Sequence, residues 1–263
     1  MPFFDTHTHL DYLQHETGES LAQILQQALA HNVTKILIVG VLEKYFENLE
    51  KMTALFPENL FYGLGLHPLY IQQHDYLDLE KLQARLEKRT KNCCAVAEIG
   101  LERAVPDLLT ASLWKKQCEF LEAQLSLAKQ YHLPVSLHSR QSHDQLFTFL
   151  KRASLTKCGI IHGFSGSYEQ AKRFVSLGYK IGVGGTITYQ RANKTRETIR
   201  RLPLESLVLE TDTPDMPVFG FQGQPNRPER IAHVFQHLCS LRTESAEDVE
   251  QVIWQNSELL FAI

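Results

Sequence analysis

The sequence predicts an α/β fold, a (β/α)8 TIM barrel, and three observations carry that reading. Short runs rich in Val, Ile and Leu alternate with longer stretches of helical period. Such alternation implies βαβ units, with parallel pairing and right-handed crossovers. Eight strand runs fit into 263 residues, close to the roughly 250 that a barrel of this kind needs. A doubly wound open sheet shares the alternation, which does not by itself show closure.

The first strand is Phe3–His9, followed by an amphipathic stretch at Leu21–Ala30, and the second is Lys35–Gly40. The third, Leu60–Gly65, leads to Leu79–Arg89, and the fourth, Cys94–Ile99, to Leu113–Tyr131. In that last stretch apolar positions 113, 120, 121, 125 and 128 keep the three-, four- and seven-residue spacing of one helix face. Strands at Pro134–His138, Gly159–His162, Lys180–Gly184 and Ser206–Glu210 complete the eight, with helical stretches at Tyr168–Leu177 and Asn193–Arg201. Thr213–Pro228 is rich in Pro and Gly yet carries Phe219 and Phe221, which marks a structured loop over a site rather than a linker. Glu229–Ser240 and Ala246–Phe261 then add one barrel helix and an extra one. No break in composition divides the chain, so residues 1–263 read as one domain.

Composition narrows the function classes. Hydrophobic residues make up 43%, too many for a disordered chain, and 27 Lys+Arg against 30 Asp+Glu leave a net charge of −3. That balance argues against non-specific coating of nucleic acid, which needs a broad cationic face. No apolar run approaches the roughly 20 residues of a membrane span. The N-terminus shows no basic-then-apolar leader pattern. Cys93, Cys94, Cys118, Cys158 and Cys239 are odd in number and unpaired by spacing, as expected of buried thiols in a reducing compartment. The expectation is a cytoplasmic monomer with no membrane and no obligate protein partner.

The chemistry lies where polar residues end apolar strands. In Phe3-Phe4-Asp5-Thr6-His7-Thr8-His9, His7 and His9 are two apart and share a strand face. Ala95-Val96-Ala97-Glu98 ends the fourth strand in a carboxylate, which stays charged in such a place only when paired or bound to a cation. His138, His162 and Asp212 close the fifth, sixth and eighth strands. Singly, each is as well read as a satisfied core histidine or an ion-paired acid. Together they put four histidines and two carboxylates at the ends of five apolar strands, which packing does not explain. A metal centre does. Six ligands suit two divalent cations, with His7, His9 and Asp212 on one, His138 and His162 on the other, and Glu98 bridging. Two such cations would acidify a shared water, and Asp212 would orient it and take its proton, so Asp212 and Glu98 are the candidate catalytic carboxylates. Hydrolysis of an ester, amide or phosphodiester is the chemistry this builds.

FDTHTHLD, GLHP, AEIGLE, PVSLHSR, IIHGFSG, YKIGVGGTITY and LETDTPDMP occur in this order along nearly the whole chain. Together they resemble the TatD family of metal-dependent deoxyribonucleases, and Gly178–Pro228 resembles its YjjV-type subgroup more closely still. The resemblance implies a TIM barrel of the metallo-dependent hydrolase type, within the amidohydrolase superfamily. By position it assigns the metals to His7, His9, Glu98, His138, His162 and Asp212, and a substrate-phosphate contact to His67 of GLHP. The family commonly reads EIGLD where Glu102 and Arg103 follow Leu101 here, so the contacts that face substrate beside Glu98 are expected to differ. Four imidazoles favour Zn or Mn by ligand softness, whereas the family resemblance implies activity with Mg.

For substrate, Arg140 lies two residues after His138 and is placed either to grip a phosphate bidentately or to form a salt bridge at a helix start. Arg191, Lys194 and Arg196 beyond the seventh strand, with Arg227 and Arg230 beyond the eighth, form a local cationic mouth or merely solvated faces. Such a mouth on an acidic body suits a DNA end. The alternatives are a hydrolase of a small phosphoester, lactone or amide, and a metal-binding interaction protein without turnover.

Overall fold

The computed structural model describes residues 2–262. Its strands β1 (Phe3–Thr8), β2 (Val33–Val39), β3 (Leu60–Leu64), β4 (Cys93–Glu102), β5 (Val135–Arg140), β6 (Gly159–Ile161), β7 (Lys180–Val183) and β8 (Leu207–Leu209) form one parallel sheet in sequence order. Beyond β8 the chain turns back onto β1. Asp212 N donates to His7 O at 3.0 Å, His9 N to Thr213 O at 2.7 Å, and Thr6 Oγ1 to Leu209 O at 2.7 Å. The sheet is thereby a nearly closed barrel, which decides against the doubly wound open sheet.

Helices α1 (Leu10–Thr17), α2 (Leu21–Ala30), α3 (Phe46–Leu55), α4 (Tyr76–Glu87), α5 (Ala111–Gln130), α6 (His143–Ala153), α7 (Tyr168–Ser176), α8 (Asn193–Arg201) and α9 (Ile231–Leu241) surround it, and α10 (Ala246–Phe261) is the extra helix. Sequence periodicity passes over α1, α3 and α6. Of these, α1 buries Leu10 and Leu13, α3 buries Phe46, Leu49 and Met52, and α6 buries His143, Leu146 and Leu150, stripes no narrower than those of α4 and α7. Capping boxes start α2 (Ser20 with Gln23), α4 (Asp75 with Asp78) and α7 (Ser167 with Gln170), each cap worth about 1 kcal/mol.

Two apolar layers hold the barrel. Phe4, Leu37, Val39, Phe61, Ala95, Ala97, Ile160 and Val208 fill its interior, and Phe261 of α10 closes the N-terminal end, 5.6 Å from the Phe4 ring. The opposite strand faces, among them Ile36, Ile38, Val96 and Ile99, pack outward under the helices. The two strands β3 and β4 approach so closely that a Cβ on Gly65 would lie 1.9 Å from the Ala97 carbonyl oxygen. Gly65→Ala is therefore expected to destabilise the fold by at least the ~1–3 kcal/mol of an overpacked core, read as a lower denaturant midpoint. An unchanged midpoint would show that these strands can part.

Alternation fails at two places, and both serve the C-terminal face. From Val96 to Ile99 the fourth strand takes three steps while β5 takes two, Val135 to Leu137. Ala95 and Ala97 point inward, so plain alternation would send Glu98 outward with Val96; the bulge reverses this. Glu98 itself has φ 59°, left-handed for a non-glycine residue. A matching irregularity lies in β1 between Asp5 and Thr8, paired with Ile36 and Ile38. Bulges of this kind re-aim side chains beside active sites.

Candidate metal centre

Glu98 occupies the middle of the C-terminal mouth. Its Oε1 lies 2.6 Å from His7 Nε2, 3.1 Å from His162 Nε2 and 3.9 Å from His9 Nε2, and its Oε2 lies 2.6 Å from His67 Nε2. Asp212, at the end of the β8 extension and also left-handed at φ 58°, places Oδ1 3.7 Å from the Nε2 atoms of both His7 and His9. His7, His9, Glu98 and Asp212 form one group whose donor atoms all lie within 4.8 Å of one another. His67, Glu98 and His138 form a second. Glu98 is common to both, as a bridging carboxylate would be.

The second group differs from the expected division. His162 is not gathered with His138; its ring stacks flat on His7, with centroids 3.9 Å apart. His138 turns Nε2 toward Glu102 Oε2 at 3.1 Å. His67, expected at the substrate rim, sits against Glu98. Hydrogen bonding decides what His67 can do there. Its Nδ1 accepts from Leu69 N at 2.9 Å, so in the neutral ring Nε2 carries the proton and acts as a donor rather than a ligand lone pair. His9 is set the other way: Nδ1 lies 3.2 Å from the Val39 carbonyl oxygen, which only accepts, leaving the Nε2 lone pair free for a cation. Arg140 is largely solvent-exposed, with Nη1 3.6 Å from Glu102 Oε2; the structure shows that ion pair and leaves most of the guanidinium open.

Glu102 is the residue that sequence reasoning missed. It is fully buried, accepts from Ala104 N at 2.6 Å and orients His138. Its spacing of four from Glu98 within one strand run was the available signal, hidden because the fourth strand continues to residue 102 instead of stopping at Ile99.

The electrostatics fit a cation. Burial holds His7, His138 and His162 below the ordinary imidazole range, so each is neutral at pH 7. Burial pushes the Glu98 carboxyl up, but the surrounding imidazoles of His67, His162 and His7 outweigh it, and the group lies well below the usual carboxylate range. Asp212 goes the other way, raised well above its ordinary value by burial and by the carboxyls of Glu98, Glu210, Asp215 and Asp5. His7 Nε2 and His162 Nε2 are buried beside Glu98 Oε1 with no well-directed hydrogen bond. Unpartnered buried polar atoms are costly, and a divalent cation among them would satisfy both. The imidazole and carboxylate donors present are of the types Zn and Mn take.

Comparison with known proteins agrees with the geometry. A family described as "TatD related DNase" matches residues 4–262. A metal-dependent hydrolase of Haemophilus influenzae is 65% identical over 262 residues, covering 100% of both chains. The metal-dependent hydrolase YjjV of Escherichia coli is 49% identical over 264 residues, 99% of this chain and 98% of the relative. The crystal structure of YjjV, a TatD homolog, superposes with a TM-score of 0.94 at 48% identity, over 99% and 98% of the two chains. A TatD family hydrolase of Entamoeba histolytica shares the fold, with a TM-score of 0.82 at 23% identity over 99% and 98%. With eight strands, a histidine-rich mouth and these relatives in agreement, the chain belongs to the TatD family of metal-dependent hydrolases.

Proposed function

We propose that this chain is a deoxyribonuclease that hydrolyses phosphodiester bonds at DNA ends with two divalent cations. The observation that carries the reading is the Glu98-centred mouth, where two donor groups share one carboxylate. His7, His9 and Asp212 would hold one cation and His138 and His162 the other, with Glu98 shared; His162, whose Nε2 is 3.1 Å from Glu98 Oε1, would have to leave its stack on His7 to do so. Bound there, divalent cations supply charge stabilisation of the phosphoryl oxygens and acidify water. The protein's own groups do the rest. His67, with Leu69 N on its Nδ1, offers an Nε2–H donor that lies 2.6 Å from Glu98 Oε2 and would turn to a phosphoryl oxygen when substrate enters. Asp212, at the rim with 15% side-chain exposure, takes the proton lost by the attacking water at Oδ1. Glu102 orients His138, and the exposed face of Arg140 meets the incoming phosphate. Among the described residues no helix is long and apolar enough to cross a membrane, and all five cysteines are free thiols. Free thiols suit the cytoplasm.

The test is direct. Protein loaded with Zn, Mn or Mg is incubated with 3′-labelled single-stranded DNA, a simple phosphodiester and a panel of lactones, beside a chelator control. DNA shortening that the chelator abolishes is expected. Lactone turnover without DNA shortening would move the protein to a small-molecule hydrolase, and no turnover with any metal would leave a binding protein.

A further inference from the structure

Resting on that phosphodiesterase reading, we infer that a second pocket on the catalytic face, between Arg103 and Lys194, binds a phosphate of the DNA strand other than the one being cleaved. The pocket is a cavity of about 320 Å3 lined by Arg103, Gln141, His143, Ser165, Gln170 and Lys194. These residues come from the segments that follow β4, β5, β6 and β7. They therefore flank the strands that deliver Glu98, His138 and His162. Arg103 N donates to Arg140 O at 2.9 Å, so the pocket joins the metal mouth through adjacent backbone.

Several cations of this face are paired with carboxylates. Arg140 faces Glu102 at 3.6 Å, Arg173 faces Asp144 at 2.8 Å, and Arg227 faces both Glu19 and Glu229 at 2.6 Å. Among the described residues neither Arg103 nor Lys194 has a carboxylate within ion-pair distance. The Arg103 guanidinium instead lies over the Trp114 ring, 5.6 Å from its centroid. Asp144 also lines the cavity, but its carboxylate is taken by Arg173 and by Gln170 Nε2 at 3.2 Å. His143 adds no charge: burial first, then the Lys194 ammonium, lower its pKa to about 4. What is left is a polar cavity with two uncompensated cations, one a planar fork and one a point charge. That combination recognises a phosphate diester.

The experiment compares R103Q/K194Q with the wild-type metal-loaded enzyme on two substrates, a single-stranded oligonucleotide and bis(4-nitrophenyl) phosphate, which carries one phosphate only. The expected result is a selective loss. On the oligonucleotide kcat/KM falls by about tenfold or more, chiefly through KM, and the log–log salt slope flattens by about 0.7 for the phosphate contact removed. On the one-phosphate substrate the change stays within about twofold. An oligonucleotide kcat/KM that does not move, or an equal fall on both substrates, overturns the inference. If wild-type enzyme cleaves neither substrate, the deoxyribonuclease reading fails, and the pocket is judged by titrating chelator-treated protein with inorganic phosphate, followed by 31P NMR. Saturable binding that R103Q/K194Q loses upholds the pocket, whereas equal binding or none overturns it.

Discussion

Glu98→Gln is expected to strip the protein of bound metal and of its turnover while leaving the barrel folded. The carboxylate stands between His7, His162 and His67 at 2.6, 3.1 and 2.6 Å, and it is the one residue common to both donor groups. A glutamine keeps the shape but supplies no negative charge to hold two cations together. The loss should exceed the roughly 10–100-fold that removing an outer-shell partner costs. Elemental analysis should find less than one metal per chain, and phosphodiester hydrolysis should drop by at least about a thousandfold, the upper part of what a positioned proton-transfer group contributes. The thermal midpoint in chelator should fall modestly while the transition stays cooperative, because the folded site favours the ionised carboxylate that the amide replaces. Metal-loaded Glu98→Gln protein with near wild-type activity would sink the bridging role.

The second large effect is on stability. Between pH 6.5 and pH 8 the metal-free protein should become less stable as pH rises. Burial raises Asp5 to about 7 and Glu210 to about 8, and burial with neighbouring carboxyls carries Asp212 well above its ordinary value. In the unfolded chain all three are already ionised at pH 6.5. The folded state thus binds more protons across this window, and stability falls as they are removed, by about 1.4 kcal/mol per pH unit for each group still protonated. His7, His138 and His162, held below 6.5 when folded, are still part-protonated in the unfolded chain near pH 6.5 and oppose the fall there. Above about pH 7.5 they are neutral in both states, and the carboxyls alone set the slope. Adding a divalent cation should raise stability by ~2.7 kcal/mol at a hundred times its Kd and flatten the slope, since Asp212 would then ionise against it. Urea midpoints at pH 6.5 and 8, with chelator and with Zn, measure both effects. A midpoint in chelator that is level or rises with pH would contradict the account.

Much of this was legible in the chain before folding. Strand–helix alternation announced the barrel, and polar residues closing apolar runs at His7, His9, Glu98, His138, His162 and Asp212 all lie at its C-terminal mouth. The family resemblance pointed the same way and is confirmed over residues 4–262. What stayed hidden is tertiary. Nothing in Ala95-Val96-Ala97-Glu98 signals a bulge, which depends on pairing with β5 and not on local propensity. Whether His67 donates or ligates depends on Leu69 N, a partner only the turn supplies. Glu102 looked like a departure from a motif because its reach to His138 required a strand three residues longer than the apolar run. Helix α6 buries His143, Leu146 and Leu150 at three- and four-residue spacing, so the same periodicity was present there and went unread.

The extra step in β4 also bears on how this barrel could change over time. Folding landscapes are smoothest where every local choice agrees with the global repeat. Removing one residue between Val96 and Ile99 would restore regular pairing with β5 and improve the ladder. It would also leave the mouth without its central acid, with Glu98 lost or turned beneath the helices. A better-built sheet and a working site are therefore competing outcomes at one position. The irregular strand is a place where selection for foldability alone would erase the chemistry.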